Sequence, residues 1–378
     1  MEIEKNYSIM FENFNEIYKF DGIKRNLLSF RVLKINYKLK KNLFNIEIHN
    51  EFKENHFFRY KFLSSKIFKI FSDLKMPASI EFYQKKFSFF KGKDEKKWDF
   101  SLTTVLEIKE KEKIYFYFSY PSLEILGKIK NFINSFILND LKTANEIPKN
   151  LPIVFGEGSA GVLFHEAVSH PLEGDIFKEC YYKNKIGERV SKEFLTVFDF
   201  PYYPKLPVLR KIDDEGEECQ RKPLIEKGVL KNVLCNDFFS KELLFPPGNG
   251  WVAEENPIPL PRATNTVVDG IKGNNIKFNE IYSDFLYIPF IKDAKFFPPD
   301  FVFIKAGPVF FYFNKKLYKK IDYLTLEEKI ENILSNVDFI GEKVERCLTF
   351  GTCIKNGGKL FVGAASPVVS FLNLSYKI

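Results

Sequence analysis

The sequence predicts an α+β protein. It divides into an N-terminal domain of antiparallel strands with flanking helices, residues 1–147, and a β-rich domain, residues 148–378, that carries a short helix near its start. Three observations predict this. Residues 25 to 119 alternate or run apolar with β-branched and aromatic residues, as in LLSFRVLKINYKL, LFNIEIHNEF, SIEFYQKKFSFF, FSLTTVLEIK and KIYFYFSY. A Pro-rich joint, NEIPKNLP, closes that half. Beyond it, strand and turn signals dominate.

In chain order, residues 1–20 are expected to form an amphipathic helix with Ile9, Phe11, Phe14, Ile17 and Tyr18 on its apolar side. Strands follow, with KEKEK as a hairpin turn between the last two. Helical spacing after a Pro-Ser start predicts a helix over 121–144. The second half opens with the strand IVF, a glycine loop and a helix ended by Pro171. Turn acids and glycine at Asp213-Asp214-Glu215-Gly216, and the pair Lys227-Gly228, predict hairpins. Further helices are expected at 276–284 and 325–336, and strands at 301–313, 345–353 and 359–364. The prolines of 246–261 suggest a long irregular loop.

The 378 residues, 45% hydrophobic, suffice for two cores. The net charge of +8 does not read as a nucleic-acid surface, because lysines are interleaved with acids, as in KGKDEKKWD. Lys, Phe, Ile and Asn are jointly abundant, a bias expected of an AT-rich genome. No apolar stretch approaches the ~20 residues that span a bilayer. The start, MEIEKNYSIMFENFNE, lacks a signal pattern, so a cytoplasmic protein is expected. Five dispersed cysteines then read as thiols (Cys180, Cys219, Cys235, Cys347 and Cys353).

GEGSAGVLFHEAVSH, Gly156 to His170, can be read in two ways. Its glycines fit a dinucleotide-binding G-x-G-x-x-G, and Asp175 falls near the required acid position. That motif needs a second strand before the acid, and here the turn PLEG stands in its place. The glycines read instead as a tight strand-to-helix turn with close backbone approach. The second reading takes His165 and His170 as metal ligands, with Glu166 beside the first as in H-E-x-x-H hydrolases. The spacing is i, i+5, which on an ideal helix sets the imidazoles roughly 140° apart. A shared metal would need His170 at or past a distorted helix end, for which Pro171 supplies a reason. Two ordinary polar histidines remain the alternative on these six residues alone.

GVLFHEAVSHPLEGD resembles the TldD/PmbA family, the modulators of DNA gyrase, in its TldD-like branch. The lead-in NLPIVFG, the segment IDDEGEECQRKPLIEKGVLKNVLCN (212–236), NPIPLPRATNT (256–266) and GTCIKNGGKLFVGAASPVVSF (351–371) are similar to family segments in the same order. The resemblance implies that 148–378 is the catalytic domain of a zinc-dependent peptidase acting on unfolded or extended peptides. It implies His165, His170 and Cys353 as Zn2+ ligands and Glu166 as general base toward metal-bound water. By itself Cys353 would read as a small buried hydrophobe, and the other four cysteines keep that reading. Dimers are implied, either homodimers or heterodimers with a related chain lacking the metal motif.

Several residues keep two readings. Glu173 and Asp175 could orient a ligand imidazole or simply close a turn. Asp213, Asp214 and Glu215 most simply serve a hairpin. Arg262 could hold a substrate carboxylate or backbone oxygen, or form a structural salt bridge, and Thr264 and Asn265 could line a substrate groove. The chain departs from the family pattern at Ser169, Pro171 and Gly358. His165 comes earlier than in a full-length TldD-like chain, so a shortened N-terminal region is expected. A function of another class, a non-catalytic partner or peptide-binding subunit, is disfavoured by the retention of His165, Glu166, His170 and Cys353 together.

Overall fold

The computed structural model describes backbone over most of residues 4–49 and 78–378. Side chains are described at 103, at 105–108 and from 113 onward, except 120, 121, 139, 140, 145, 205 and 254–257. The architecture is α+β. His49 is described only as backbone in a strand, and His56 lies outside the described residues.

Among the described residues, the N-terminal half forms an eight-stranded sheet. Its strands pair antiparallel except Asn42–His49 against Ala78–Lys91, which run parallel. Among the described residues of 1–20 the expected helix is absent. Glu4–Glu12 and Glu16–Phe20 are strands, because Ile9 and Phe11 also satisfy the two-residue period and aromatic residues favour the pleated sheet. The sheet ends in the antiparallel pair Glu95–Lys109 and Lys113–Phe118, as KEKEK suggested. The next helix, Leu123–Phe132, is capped by Ser122 Oγ, which accepts from Ile125 N–H, and continues as a π turn, Ile133–Ile137. The N-terminal sheet meets the second half directly: Tyr117 N–H donates to Leu348 O, and Thr103 Oγ1 to Pro207 O.

From Leu151 onward, two six-stranded sheets enclose the helix that follows Ile153–Phe155. One sheet includes Val197–Asp199, Asn265–Val268 and Gly363–Ser366. The other includes Phe285–Ile288, Ile153–Phe155 and Val369–Phe371. Every residue from Ser159 to Ser169 is buried. Phe155, Phe164 and Phe371 pack edge-to-face or tilted around the helix, and burial of each ring contributes roughly 1.5–3 kcal/mol. A four-stranded sheet starting at Ile291–Phe297 and two separate hairpins complete the domain.

The turn at Lys227-Gly228 forms as expected, with φ of 49° and 76°. The expected loop over 246–261 is largely a hairpin, Gly250–Ala253 with Asn256–Pro261, because three of its five prolines (Pro257, Pro259 and Pro261) lie in one strand of a two-stranded sheet. The expected helix 325–336 divides into a strand, Leu324–Lys329, whose burial alternates, and a helix, Ile330–Ser335. The helix expected at 276–284 is one turn, Phe278–Ile281. The strand expected at 301–313 is two, Phe301–Ala306 and Val309–Phe313.

Candidate metal centre

The site begins at the glycine turn. Gly158 has φ of +85°, and a Cβ there would sit 2.5 Å from the Arg346 carbonyl and the Cys347 nitrogen. Gly161 packs its bare Cα on the Gly363–Ser366 strand, where a Cβ would lie 2.9 Å from Ala365 N. Ser159 Oγ donates to the carbonyls of Gly156 and Ile288, locking the turn to both neighbours. This is the close backbone approach expected of the glycines.

The helix starts as an α-helix, Ser159–Phe164, and widens to a π turn over His165–Ser169. His170 N–H donates to the carbonyl of His165. That i→i+5 bond places the two histidines one turn apart on one face. Their rings lie 4.8 Å apart at 80°. The distortion that the spacing required is therefore inside the helix and starts at His165 itself. Pro171 belongs to the 3-10 turn that follows. Tyr182 Oη donates to the carbonyl of Ala167 within the widened turn.

Cys353 arrives from a different element, the hairpin Thr352–Lys355 with Gly358–Phe361. The ligand atoms of His165, His170 and Cys353 lie within 4.8 Å of one another, the one such group among the described residues. His170 Nε2 is 2.9 Å from Cys353 Sγ. His165 Nδ1 lies 2.9 Å from Thr266 Oγ1, which in turn lies 2.7 Å from Ser169 Oγ. His165 Nε2 is buried with no hydrogen-bond partner.

These residues fit a zinc ion. Nδ1 can donate to Thr266, leaving the lone pair of the orphaned Nε2 for a cation. Burial keeps both imidazoles neutral, the form that ligates: it holds His165 well below its ordinary range and His170 at about 3, where Lys355 and Arg262 add to it. On balance the Cys353 thiol is pushed up to about 12, chiefly by burial, with Glu173 and Glu166 adding to it. The Arg262 guanidinium, whose Nη2 lies 3.3 Å from Sγ, opposes this and favours the thiolate.

Glu166 is buried, 6% exposed, and burial raises its carboxyl to about 8, with a hydrogen bond from the Phe296 backbone opposing. It lines a cleft of about 880 Å3 together with His170 and Cys353. Tyr115 and Tyr117 of the N-terminal sheet and the strand Ile291–Phe297 form other walls.

The remaining sequence candidates separate. Glu173 Oε2 lies 3.8 Å from His170 Nδ1, too long for a hydrogen bond but close enough for electrostatic orientation. Its Oε1 accepts from Ala263 N–H at 2.8 Å. Asp175 Oδ1 is paired with Lys355 Nζ at 2.6 Å. Arg262 is 1% exposed and donates to the carbonyls of Cys353 and Gly358, so it lies beneath the Cys353 hairpin rather than in the cleft. Thr264 Oγ1 donates to Asp199 at 2.8 Å, and Asn265 Nδ2 to the carbonyls of Phe200 and Val208. Both side chains are buried scaffold and do not line the cleft. Asp213 accepts from the N–H groups of Glu215, Glu217 and Gly250, which holds the expected turn. Asp214 pairs with Arg210, and Glu215 Oε2 accepts from Asp237 N–H.

Sequence reading missed Thr266, Lys355, Asp199 and Phe350, whose ring packs edge-on to His165 at 5.0 Å. The available signal for Lys355 was its position two residues beyond Cys353 in a strand, hence on the same face.

Residues 148–376 match the model of the PmbA/TldA metallopeptidase C-terminal domain. The chain belongs to the TldD/PmbA family. It is 28% identical over 246 residues to the metalloprotease TldD homolog of Buchnera aphidicola (subsp. Acyrthosiphon pisum), covering 63% of this chain and 50% of that one. It is 29% identical over 150 residues to the zinc metalloprotease TldD homolog of Saccharolobus solfataricus, covering 39% and 33%. The chain spans about half the length of the curated TldD homologs of Buchnera and Haemophilus that it matches. Its fold is similar to that of TldE from Thermococcus kodakarensis, with a TM-score of 0.65 and 12% identity over 100% of this chain and 95% of that one. Among the described residues no helix is long and apolar enough to cross a membrane.

Proposed function

We propose that this TldD-type chain is a zinc-dependent peptidase that hydrolyses peptide bonds in unfolded or extended peptides. The observation that carries the proposal is the convergence of His165, His170 and Cys353 beside the buried Glu166 carboxylate at one wall of a cleft. His165 and His170 supply neutral nitrogen donors and Cys353 supplies sulfur. Zinc bound by such a set supplies Lewis acidity and lowers the pKa of water to about 7.

The chain's own groups do the rest. Glu166, whose carboxyl burial brings to about 8, close to neutral pH, accepts in its ionised form the proton of the attacking water and returns it to the leaving amine. Thr266 fixes the ring of His165, and Arg262 balances the charge of the Cys353 sulfur. Tyr115 and Tyr117 line the same cleft as Glu166, His170 and Cys353 and offer rings to an extended chain. The Ile291–Phe297 strand, at the edge of its sheet among the described residues, is where an extended peptide would add. A dimer, either of this chain or with a related chain lacking the metal motif, is part of the proposal. Neither a nucleic acid nor a membrane is part of the proposal, and a cytoplasmic location accords with five cysteines that form no disulfide.

The test is cleavage of an unstructured peptide by the zinc-loaded chain and by Glu166→Ala. The variant is expected to keep the metal and lose cleavage. Cleavage by the variant at the wild-type rate would remove Glu166 as the base.

A further inference from the structure

The hairpin that carries Cys353 belongs to neither large sheet: Thr352–Lys355 and Gly358–Phe361 form a two-stranded sheet of their own. Its turn uses Asn356 and Gly357, with φ of 50° and 78°. A lone two-stranded hairpin is marginal in water, so contacts outside the ladder must hold the thiol in place. Strand alternation puts Cys353 and Lys355 on one face and Ile354, 69% exposed, on the other.

Lys355 Nζ donates to Glu173 Oε2 at 2.6 Å, to Asp175 Oδ1 at 2.6 Å and to Pro261 O at 3.2 Å. Its side chain is 9% exposed and that of Glu173 is fully buried. Glu173 stands three residues after His170 and faces its Nδ1. One ammonium therefore ties the strand bearing Cys353 to the turn that follows His170, across 180 positions of sequence between Lys355 and Asp175.

We propose that Lys355 is a positioning residue of the metal centre: by bridging Glu173 and Asp175 it fixes the Cys353 hairpin against His170. The inference rests on reading His165, His170 and Cys353 as metal ligands. Loss of a buried ion pair with no such role would lower global stability without altering the sulfur donor or selectively opening the hairpin.

The test compares the full-length wild type with Lys355→Met and Lys355→Arg. Zinc affinity is measured by chelator competition, and the sulfur donor by the thiolate-to-cobalt absorption band. Hydrogen exchange across residues 350–362 is followed in the metal-free chain. Lys355→Met is expected to weaken zinc binding roughly 10–100-fold and to diminish the thiolate band. Its hairpin amides are expected to exchange about tenfold faster while the rest of 148–378 is unchanged. Lys355→Arg, which reaches the same carboxylates, is expected to recover most of each signal. If Lys355→Met does not fold, Lys355→Gln, which keeps one donor group, is read in its place. A folded neutral variant with unchanged affinity, band and hairpin exchange would overturn the proposal, as would exchange accelerated uniformly over the domain. Wild-type chain that binds no metal ion would remove the metal reading instead, and the exchange measurement would still decide whether Lys355 holds the hairpin.

Discussion

A single backbone hydrogen bond, from His170 N–H to the carbonyl of His165, converts an i, i+5 pair into neighbours on one helix face. An α-helical turn at the same place would point the two rings roughly 140° apart. The widened turn is thus the local structure on which a shared metal depends, and the side chains around it yield separate expectations.

Thr266 is the partner of His165 Nδ1 and of Ser169 Oγ. Thr266→Val keeps the shape and removes the hydroxyl. It is expected to weaken zinc binding roughly 10–100-fold and to cost about 1 kcal/mol of stability. Chelator competition and thermal unfolding of the metal-free chain measure the two effects.

Burial raises Glu166 from an ordinary 4.5 to about 8. Between those values the unfolded chain has ionised this carboxyl while the folded chain still holds its proton. The metal-free fold therefore loses stability as pH rises from about 4.5 to about 8, by up to roughly 1.4 kcal/mol per unit for this group. Glu166→Gln has no proton to lose. Its unfolding free energy should gain on wild type across that window, as urea titrations at several pH values would register. Parallel curves would contradict the buried, protonated carboxyl. Asp213 and Glu215 share the sign, and both remain in the variant, so the difference isolates Glu166.

Gly158 combines positive φ with backbone 2.5 Å from a would-be Cβ. Gly158→Ala is expected to cost more than about 2 kcal/mol, because the neighbour is the Arg346 main chain and cannot swing aside. A thermal midpoint within a degree or two of wild type would show that the turn can relax.

Much of the site was legible in the sequence, though unevenly. His165, Glu166 and His170 lie within six residues and form a readable pattern, and the glycine turn followed from its spacing. The π turn was not legible, since an extra residue in a helical turn leaves no compositional mark. Only its necessity could be inferred from the i, i+5 spacing. Cys353 was reached only through resemblance, because nothing local distinguishes it from Cys347, which is also buried. Thr266 and Lys355 act through long-range pairing that one sequence does not encode visibly. In the fold, alternation over 324–329 was lost in a helical reading that suited only Ile330–Ser335, since acids and leucines fit both periods. Arg262 could be read as a substrate clamp until its burial beneath the hairpin was known.

The most direct measurement is metal content, after purification without chelators and incubation with zinc, for wild type and Cys353→Ala side by side. The expected result is about one tightly held zinc per wild-type chain and a large loss of affinity in Cys353→Ala, as the three-donor set requires. A folded wild-type chain that takes up no zinc, or a Cys353→Ala variant that holds it as tightly, would contradict the assignment of His165, His170 and Cys353 as one metal centre.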